Sequence, residues 1–287
     1  MRPRHMELDR TDLADAVYST AEMSALGYGD AALRRLVRVG ALTRPGRGWY
    51  ATPAADDDAV EAARRGGCVS CVSALRKHGF WVPPGYHELH VRPSRHNRAK
   101  RRDFCSTPGG PLPVTTSLDP VPTALVCAAQ CMTAEDWIIV TDSVLNTWGW
   151  TVERLRAELP QVNAKIETML AKCDPRSQSG TETAVRVRLR ARGFHVEVQP
   201  RVDEVGYVDL KVGRLLIECD SELHHTSREN YLKDRRRDRK SLAQQLLTIR
   251  VTYDDVLYGW EETLADIRAV TDADRHRPRR KRRKSDT

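Results

Sequence analysis

Tyr207-Val208-Asp209-Leu210-Lys211-Val212-Gly213-Arg214-Leu215-Leu216-Ile217-Glu218-Cys219-Asp220-Ser221-Glu222-Leu223-His224-His225 is the stretch from which the rest of the chain is read. Two β-type runs, Tyr207 to Leu210 and Leu215 to Asp220, flank Gly213, a spacing that predicts a hairpin. Side chains alternate along a strand, so Glu218 and Asp220 share one face while Ile217 and Cys219 share the other. The fold-back brings Asp209 within a residue or two of Glu218, and three carboxylates then crowd one end of an otherwise apolar ribbon. Like charges held that close either stay partly protonated or take up a cation. Oxygen ligands of this kind suit a hard divalent ion, Mg²⁺ or Mn²⁺. Leu215, Leu216 and Ile217 mark a buried strand, which argues against a merely solvated strand end. His224 and His225 follow at once as candidate proton-transfer groups.

The order Asp209, then Glu218-Cys219-Asp220, then His224-His225 resembles the PD-(D/E)xK nuclease superfamily, and within it the small domain related to very-short-patch repair endonucleases. The resemblance runs from about residue 178 to 258. It takes in a helix with Glu182, a strand at His195 to Gln199, the hairpin, the Asp234-Arg235-Arg236-Arg237-Asp238 helix and a strand at Leu247 to Thr252. It implies a metal-dependent phosphodiesterase in which Asp209 and Glu218 bind the ion, helped by the Cys219 carbonyl, with Asp220 or Glu182 in the outer shell. Where the superfamily carries a Lys, two residues after the Glu, this chain carries Asp220. In the very-short-patch branch a His takes that role, which points to His224 or His225.

With 287 residues the chain is long enough for two or three domains. The formal charge is +8, but Arg275 to Thr287 holds eight Lys/Arg and one acid, +7, leaving the other 274 residues near +1. The basic character therefore belongs mostly to a tail, read as a disordered polycation that either adds phosphate affinity or simply solubilises the end. The N-terminus lacks the apolar stretch of a signal peptide, and no run is long enough to cross a bilayer. A cytoplasmic location with no membrane partner is expected. Seven cysteines at irregular spacing do not form a disulfide framework. Cys68/Cys71 and Cys127/Cys131 are compatible with a split zinc site, but both pairs also suit the buried side of a helix, the reading preferred here.

The first fifty residues read as three helices and a basic hairpin. Asp12 to Tyr18 forms the first helix; Ser19-x-x-Glu22 is a capping box that opens the second; the third runs from Asp30 to Val39 with Gly40 as its stop. Leu33, Leu36 and Val37 make its apolar stripe, with Arg34, Arg35 and Arg38 on another side. Leu42 to Tyr50 gives two short strands around Pro45-Gly46, carrying Arg44 and Arg47. This is the layout of a winged helix-turn-helix, whose third helix enters the major groove. Ala31 to Gly40 and Arg47-Gly48-Trp49-Tyr50 resemble the N-terminal domain of abortive-infection type IV antitoxins. That resemblance implies promoter DNA as a ligand, autoregulation, a cognate toxin as partner, and Arg34, Arg35, Arg38 and Arg47 as contacts.

Residues 53–172 read as mostly helical and also resemble the antitoxins' second domain. One helix is expected from Asp56-Asp57-Asp58 to His78-Gly79, strands at Leu89 to Val91 and Val114 to Thr116, and helices at 121–131, 133–147, 151–158 and 161–171. The basic stretch Arg92 to Arg102 is read as a solvated face or a phosphate-contacting loop; Trp137, Trp148 and Trp150 as packing residues. Cys173 to Gly180 is a polar linker and domain boundary. In the helix that follows, Glu182, Val185 and Leu189 form the inward stripe, with Arg186, Arg188, Arg190 and Arg192 elsewhere. Glu182 either joins the acidic centre or complements the helix dipole as a first-turn Glu. A helix capped by Thr226 or Ser227 carries Arg235 beside the acids, suited to receiving a phosphodiester or to i, i+4 ion pairing.

The expected fold is therefore α+β and multidomain: a winged helix-turn-helix over 1–52, a helical domain over 53–172, a linker over 173–180, a restriction-endonuclease-like domain with a mixed sheet over 181–272, and a basic tail over 273–287. The expected activity is Mg²⁺-dependent cleavage of double-stranded DNA in repair or defence. The alternative is a repressor or antitoxin whose nuclease-like domain is inactive.

Overall fold

The structure, a computed structural model, describes residues 13, 14, 16–94, 103–220 and 239–271. It mixes α-helices with small sheets, and the chain divides into two compact units, Met1–Trp137 with Glu153–Met169 and Ile138–Val152 with Leu170–Thr287. No helix among the described residues is long and apolar enough to cross a membrane.

The first unit opens with strand β1 (Val17–Ser19), helices α1 (Thr20–Ala25) and α2 (Asp30–Arg38), and strand β2 (Trp49–Ala51). The capping box at Ser19 forms as expected: Ser19 Oγ accepts the Glu22 N–H at 3.2 Å and Glu22 Oε2 accepts the Ser19 N–H at 2.7 Å. That cap requires extended backbone at Ser19. Val17 and Tyr18 accordingly form β1, antiparallel to β2 with Tyr18 opposite Tyr50, in place of the end of a helix over Asp12 to Tyr18. Thr43 and Ala51 exchange backbone hydrogen bonds of 2.8 and 3.0 Å, closing the expected hairpin over Pro45-Gly46. Met23, Tyr28, Leu33, Leu42 and Tyr50 form the core beneath, with Leu36 and Val37 against it.

Beyond it, the single helix expected from Asp56 to His78 is interrupted. Helix α3 (Asp57–Arg64), strand β3 (Gly67–Val69) and helix α4 (Cys71–Lys77) take its place, and β3 pairs antiparallel with β4 (Val91–Pro93). Two adjacent glycines explain the break. Gly66 has φ +82°, and a Cβ on Gly67 would collide with the Arg92 carbonyl oxygen of the neighbouring strand. The expected strand at Val114 to Thr116 is irregular chain, tied down instead by a bridge between Val69 and Leu118. Arg92 is buried rather than on a solvated face. It donates to Asp119 at 2.7 and 2.6 Å and to the carbonyls of Leu112 and Pro113 at 2.7 and 3.1 Å. One guanidinium thus satisfies a loop that has no strand partner. Arg95 to Arg102 lie outside the described residues. Helices α5 (Val121–Cys131), α6 (Ala134–Trp148), α7 (Val152–Glu158) and α8 (Ala164–Leu170) follow close to their expected bounds, and the division between the units falls within α6. Trp137 is fully buried and donates to the Leu125 carbonyl at 2.8 Å, and Trp148 packs on Trp150 with ring centroids 4.5 Å apart.

The second unit is built on helix α9 (Gly180–Ala191) and a four-stranded mixed sheet ordered β10-β9-β8-β5. Its strands are β5 (Glu197–Val198), β8 (Leu210–Val212), β9 (Leu215–Asp220) and β10 (Leu247–Thr252), with β9 antiparallel to β8 and parallel to β10. β6 (Arg201–Val202) and β7 (Gly206–Tyr207) form a separate ribbon. The expected run Tyr207 to Leu210 is therefore split between two sheets. Gly213, at φ +60°, makes the two-residue turn that joins β8 to β9. Alternation along β9 holds: Leu215, Ile217 and Cys219 enter the main core with Val185 and Leu189 of α9, and Leu216 faces a smaller cluster with Val205 and Val208. Val256, Trp260, Leu264 and Ile267, from helices Tyr253–Leu257 and Trp260–Thr271, complete the main core.

Two polar features of this unit run against the sequence reading. Arg186 does not face away from the core; it is fully buried on Asp142 of α6. Asp142 also accepts the Asp174 N–H at 2.8 Å and the Thr183 hydroxyl at 3.0 Å, while Arg186 donates to the Lys172 carbonyl at 2.7 Å. Burial pushes the Asp142 carboxyl up to about 6 against the pull of these donors, so it is ionised at neutral pH. The segment expected as a linker is anchored by the same network, with Asp174 and Ser177 buried.

Candidate functional site

The carboxylates predicted to converge lie on α9, just before β8 and on β9. The β8–β9 register sets Leu210 opposite Ile217, so one further step sets Asp209 level with Glu218. Asp209 leaves the ladder at a bend, and its Oδ2 accepts the Cys219 N–H at 2.7 Å. A side chain thereby takes over a backbone donor at the strand end and fixes the carboxylate against β9.

Glu182 arrives from the first turn of α9, which Ser179 caps by accepting the Glu182 N–H at 3.1 Å. Glu182 is 4% exposed, and its Oε2 accepts the Gln178 N–H at 3.1 Å. Gln199 joins the two acids: its Nε2 donates to Glu182 Oε2 at 3.0 Å and to Asp209 Oδ1 at 3.1 Å. Gln199 sits at φ +47°, an unusual conformation for a non-glycine residue, and its own N–H donates to the Asp209 carbonyl at 2.9 Å. Glu182 is thus a first-turn acid of α9 that is joined to Asp209 through Gln199. Burial first, and then the Asp209 charge, raise its pKa from the ordinary carboxylate range.

Cys219 records the crowding of the whole group. Its thiol is pushed well above the usual range by burial and then by the charges of Asp209, Glu182, Glu218 and Asp220. Glu218 is half-buried and Asp220 exposed, on the face opposite Cys219. No three of these carboxylates lie within 4.8 Å of one another among the described residues. The donor set nevertheless fits a hard cation, because Mg²⁺ keeps several waters and binds proteins through one or two carboxylates. Arg250 of β10 stands level with Glu218 in the parallel register and is exposed. Neither Gln199 nor Arg250 was singled out from the sequence. A lone Gln and a strand Arg carry no local signal, and only their registers reveal them. His224, His225 and Arg235 lie outside the described residues.

In the first unit Arg34, Arg35 and Arg38 of α2 and Arg44 and Arg47 of the hairpin are all exposed, and Arg44 lies 5.9 Å from the Tyr50 ring centroid. Burial of Leu33, with Leu36 and Val37 partly covered, turns the arginines outward as the helical period requires.

The cysteines are divided differently from either sequence reading. Cys68 and Cys127 are core residues, but Cys71 and Cys131 meet His90 and Cys105. His90 and Cys105 were missed because neither has a paired ligand at the short spacing that marks a zinc motif. No protein-family model and no curated protein matches the chain.

Proposed function

We propose that this protein is a metal-dependent DNA endonuclease in which a winged helix-turn-helix, built on α1, α2 and the Pro45-Gly46 hairpin, holds duplex DNA for a restriction-endonuclease-like domain. The observation that carries the reading is the Glu182–Gln199–Asp209 constellation, seated on the Cys219 amide and level with Glu218. Burying the Glu182 carboxylate beside the half-buried Asp209 is costly, and such groups concentrate where charge is handled.

Asp209, Glu218 and the Cys219 carbonyl hold Mg²⁺ or Mn²⁺ in this reading. When bound, the ion lowers the pKa of a water and stabilises charge on the phosphoryl oxygens. Gln199 keeps Asp209 oriented and ties it to Glu182, whose pKa is raised by burial and the Asp209 charge. Arg250, level with Glu218 in the β9–β10 register, offers the phosphodiester a cation beside the acids of β9. His224 or His225 serves as general acid or base where the superfamily uses its Lys. The exposed arginines Arg34, Arg35, Arg38, Arg44 and Arg47, together with Arg235, contact phosphates and base edges.

The same arginine row supports a second reading, a repressor or antitoxin that binds promoter DNA without cutting it, and Asp220 in place of Lys favours that reading. Incubation with supercoiled plasmid and Mg²⁺ or Mn²⁺ separates the two. The endonuclease nicks the plasmid, EDTA stops it, and Asp209→Ala or Glu218→Ala abolishes it. Wild-type protein that binds duplex DNA tightly without metal and leaves the plasmid intact refutes the enzyme and supports the repressor.

A further inference from the structure

Cys71, His90, Cys105 and Cys131 each offer one ligand atom, and the four atoms lie within 4.8 Å of one another. They come from four separate places in the first unit. Cys71 begins α4, His90 precedes β4, Cys105 follows the basic stretch, and Cys131 ends α5. Cys105 Sγ is 3.7 Å from Cys131 Sγ and 3.4 Å from His90 Nδ1.

These separations discriminate among the possibilities. A disulfide needs its sulfurs at about 2.05 Å, and the cysteines are free. A tetrahedral zinc with Zn–S near ~2.3 Å and Zn–N near ~2.05 Å has S–S edges of about 3.8 Å and S–N edges of about 3.5 Å. The observed edges agree with both. A core thiol of this chain looks different: Cys68 is buried on β3 and its Sγ donates to the Arg92 carbonyl at 3.8 Å, apart from the four.

Backbone hydrogen bonds hold two of the ligands in place. The His90 N–H donates to Ser73 Oγ at 2.9 Å, and the His90 carbonyl accepts the Ser70 N–H at 2.9 Å. The Cys105 N–H donates to the Val91 carbonyl at 2.8 Å. Cys71 sits at φ +53°, a conformation costing about 1–3 kcal/mol for a residue with a Cβ. Anchored ligands of this kind are what a preorganised metal site requires.

We propose that Cys71, His90, Cys105 and Cys131 form a structural zinc site. Three thiolates and an imidazole select a borderline-soft ion over Mg²⁺ or Ca²⁺. Four protein ligands close the tetrahedron and leave no open position for substrate, so the ion stabilises the fold and takes no part in catalysis. It staples the starts of α4 and β4 to the end of α5, and brackets in sequence the run from Arg92 to Phe104. The assignment is independent of the nuclease reading.

Metal analysis of the full-length protein, purified without an affinity tag of histidines, tests the proposal. Wild type should carry zinc at one ion per chain. After chelation and cobalt loading it should show thiolate-to-cobalt charge transfer and tetrahedral ligand-field bands. Cys105→Ala and Cys131→Ala should lose the ion; Cys131 lies at the exposed edge, so that variant is expected to fold. Cys68→Ala should keep it. Stripping zinc should lower the melting temperature of wild type and leave that of Cys131→Ala unchanged. Background zinc in wild type grown and refolded with the metal, without a cobalt–thiolate spectrum, overturns the site. Full retention of zinc by the Cys105→Ala/Cys131→Ala double variant overturns it equally.

Discussion

Breaking the Asp142–Arg186 pair should strongly destabilise the second unit. The side chains are 1% and 0% exposed, so water cannot replace a missing partner. Asp142→Ala removes the acceptor of Arg186 Nη2, of the Thr183 hydroxyl and of the Asp174 N–H. The guanidinium is left with the Lys172 carbonyl, and its Nε already has no hydrogen-bond partner among the described residues. A buried charge stripped of its partner costs about 3–5 kcal/mol, a large part of the roughly 5–15 kcal/mol that typically separates folded from unfolded protein. Asp142→Leu combined with Arg186→Met removes both charges and should recover the part of the loss that comes from the unpaired guanidinium. The Asp174 N–H, the Thr183 hydroxyl and the Lys172 carbonyl still lack their partners, at about 1–3 kcal/mol for each group left unsatisfied. Urea titration at neutral pH, followed by tryptophan fluorescence and far-ultraviolet circular dichroism, measures Asp142→Leu, Arg186→Met and their double variant as a cycle, with Asp142→Ala beside them. The consequence reaches the candidate site, because Arg186 lies about one helical turn after Glu182 on α9. An Asp142→Ala variant within about 0.5 kcal/mol of wild type would refute the argument, since it would place the pair in solvent-like surroundings.

Three further outcomes are expected. The raised pKa of Glu182 means that its protonated form favours the fold; this contribution is complete below the ordinary Glu range and disappears as pH rises through the raised value. Glu182→Gln should therefore match wild type in thermal stability near pH ~4 and exceed it near pH ~8; a pH-independent difference would contradict the assignment. Replacing Arg34, Arg35 and Arg38 with Ala should weaken duplex binding and flatten the salt dependence of its affinity by about 0.9 in log–log slope for each phosphate that is no longer neutralised. An unchanged slope in fluorescence anisotropy titrations removes α2 from the interface. Gly67→Ala should cost about 1–3 kcal/mol, because the new Cβ meets backbone of β4 that cannot easily retreat; a melting temperature equal to wild type would show that β3 and β4 are not so closely paired.

Several elements were legible from the sequence because their signals are local. The Ser19–Glu22 box, the turn at Gly213, the helix Val121–Cys131 and the strand Leu247–Thr252 depend on residues within a few positions of one another. Alternation along Leu215–Asp220 likewise separated Ile217 and Cys219 from Glu218 and placed Asp209 beside the strand end. Where a local signal had two solutions, pairing chose between them. Val17 and Tyr18 suit a helix or a strand until β2 pairs with them, and the residues from Asp56 to His78 suit one helix until Gly67 is pressed against β4.

By itself the sequence determined which residue types are present: an acidic cluster on an apolar hairpin, an arginine row opposite an apolar stripe, and seven cysteines with no disulfide spacing. The tertiary structure decided which of them meet. It selected Cys71 and Cys131 over Cys68 and Cys127 and gave them His90 and Cys105. It also buried Arg186 on Asp142 and laid Gln199 across Glu182 and Asp209. Periodicity reports the face on which a side chain lies, but a ligand set or a buried ion pair is defined by distances between segments far apart in sequence. Those distances exist only once the strands have paired and the helices have packed.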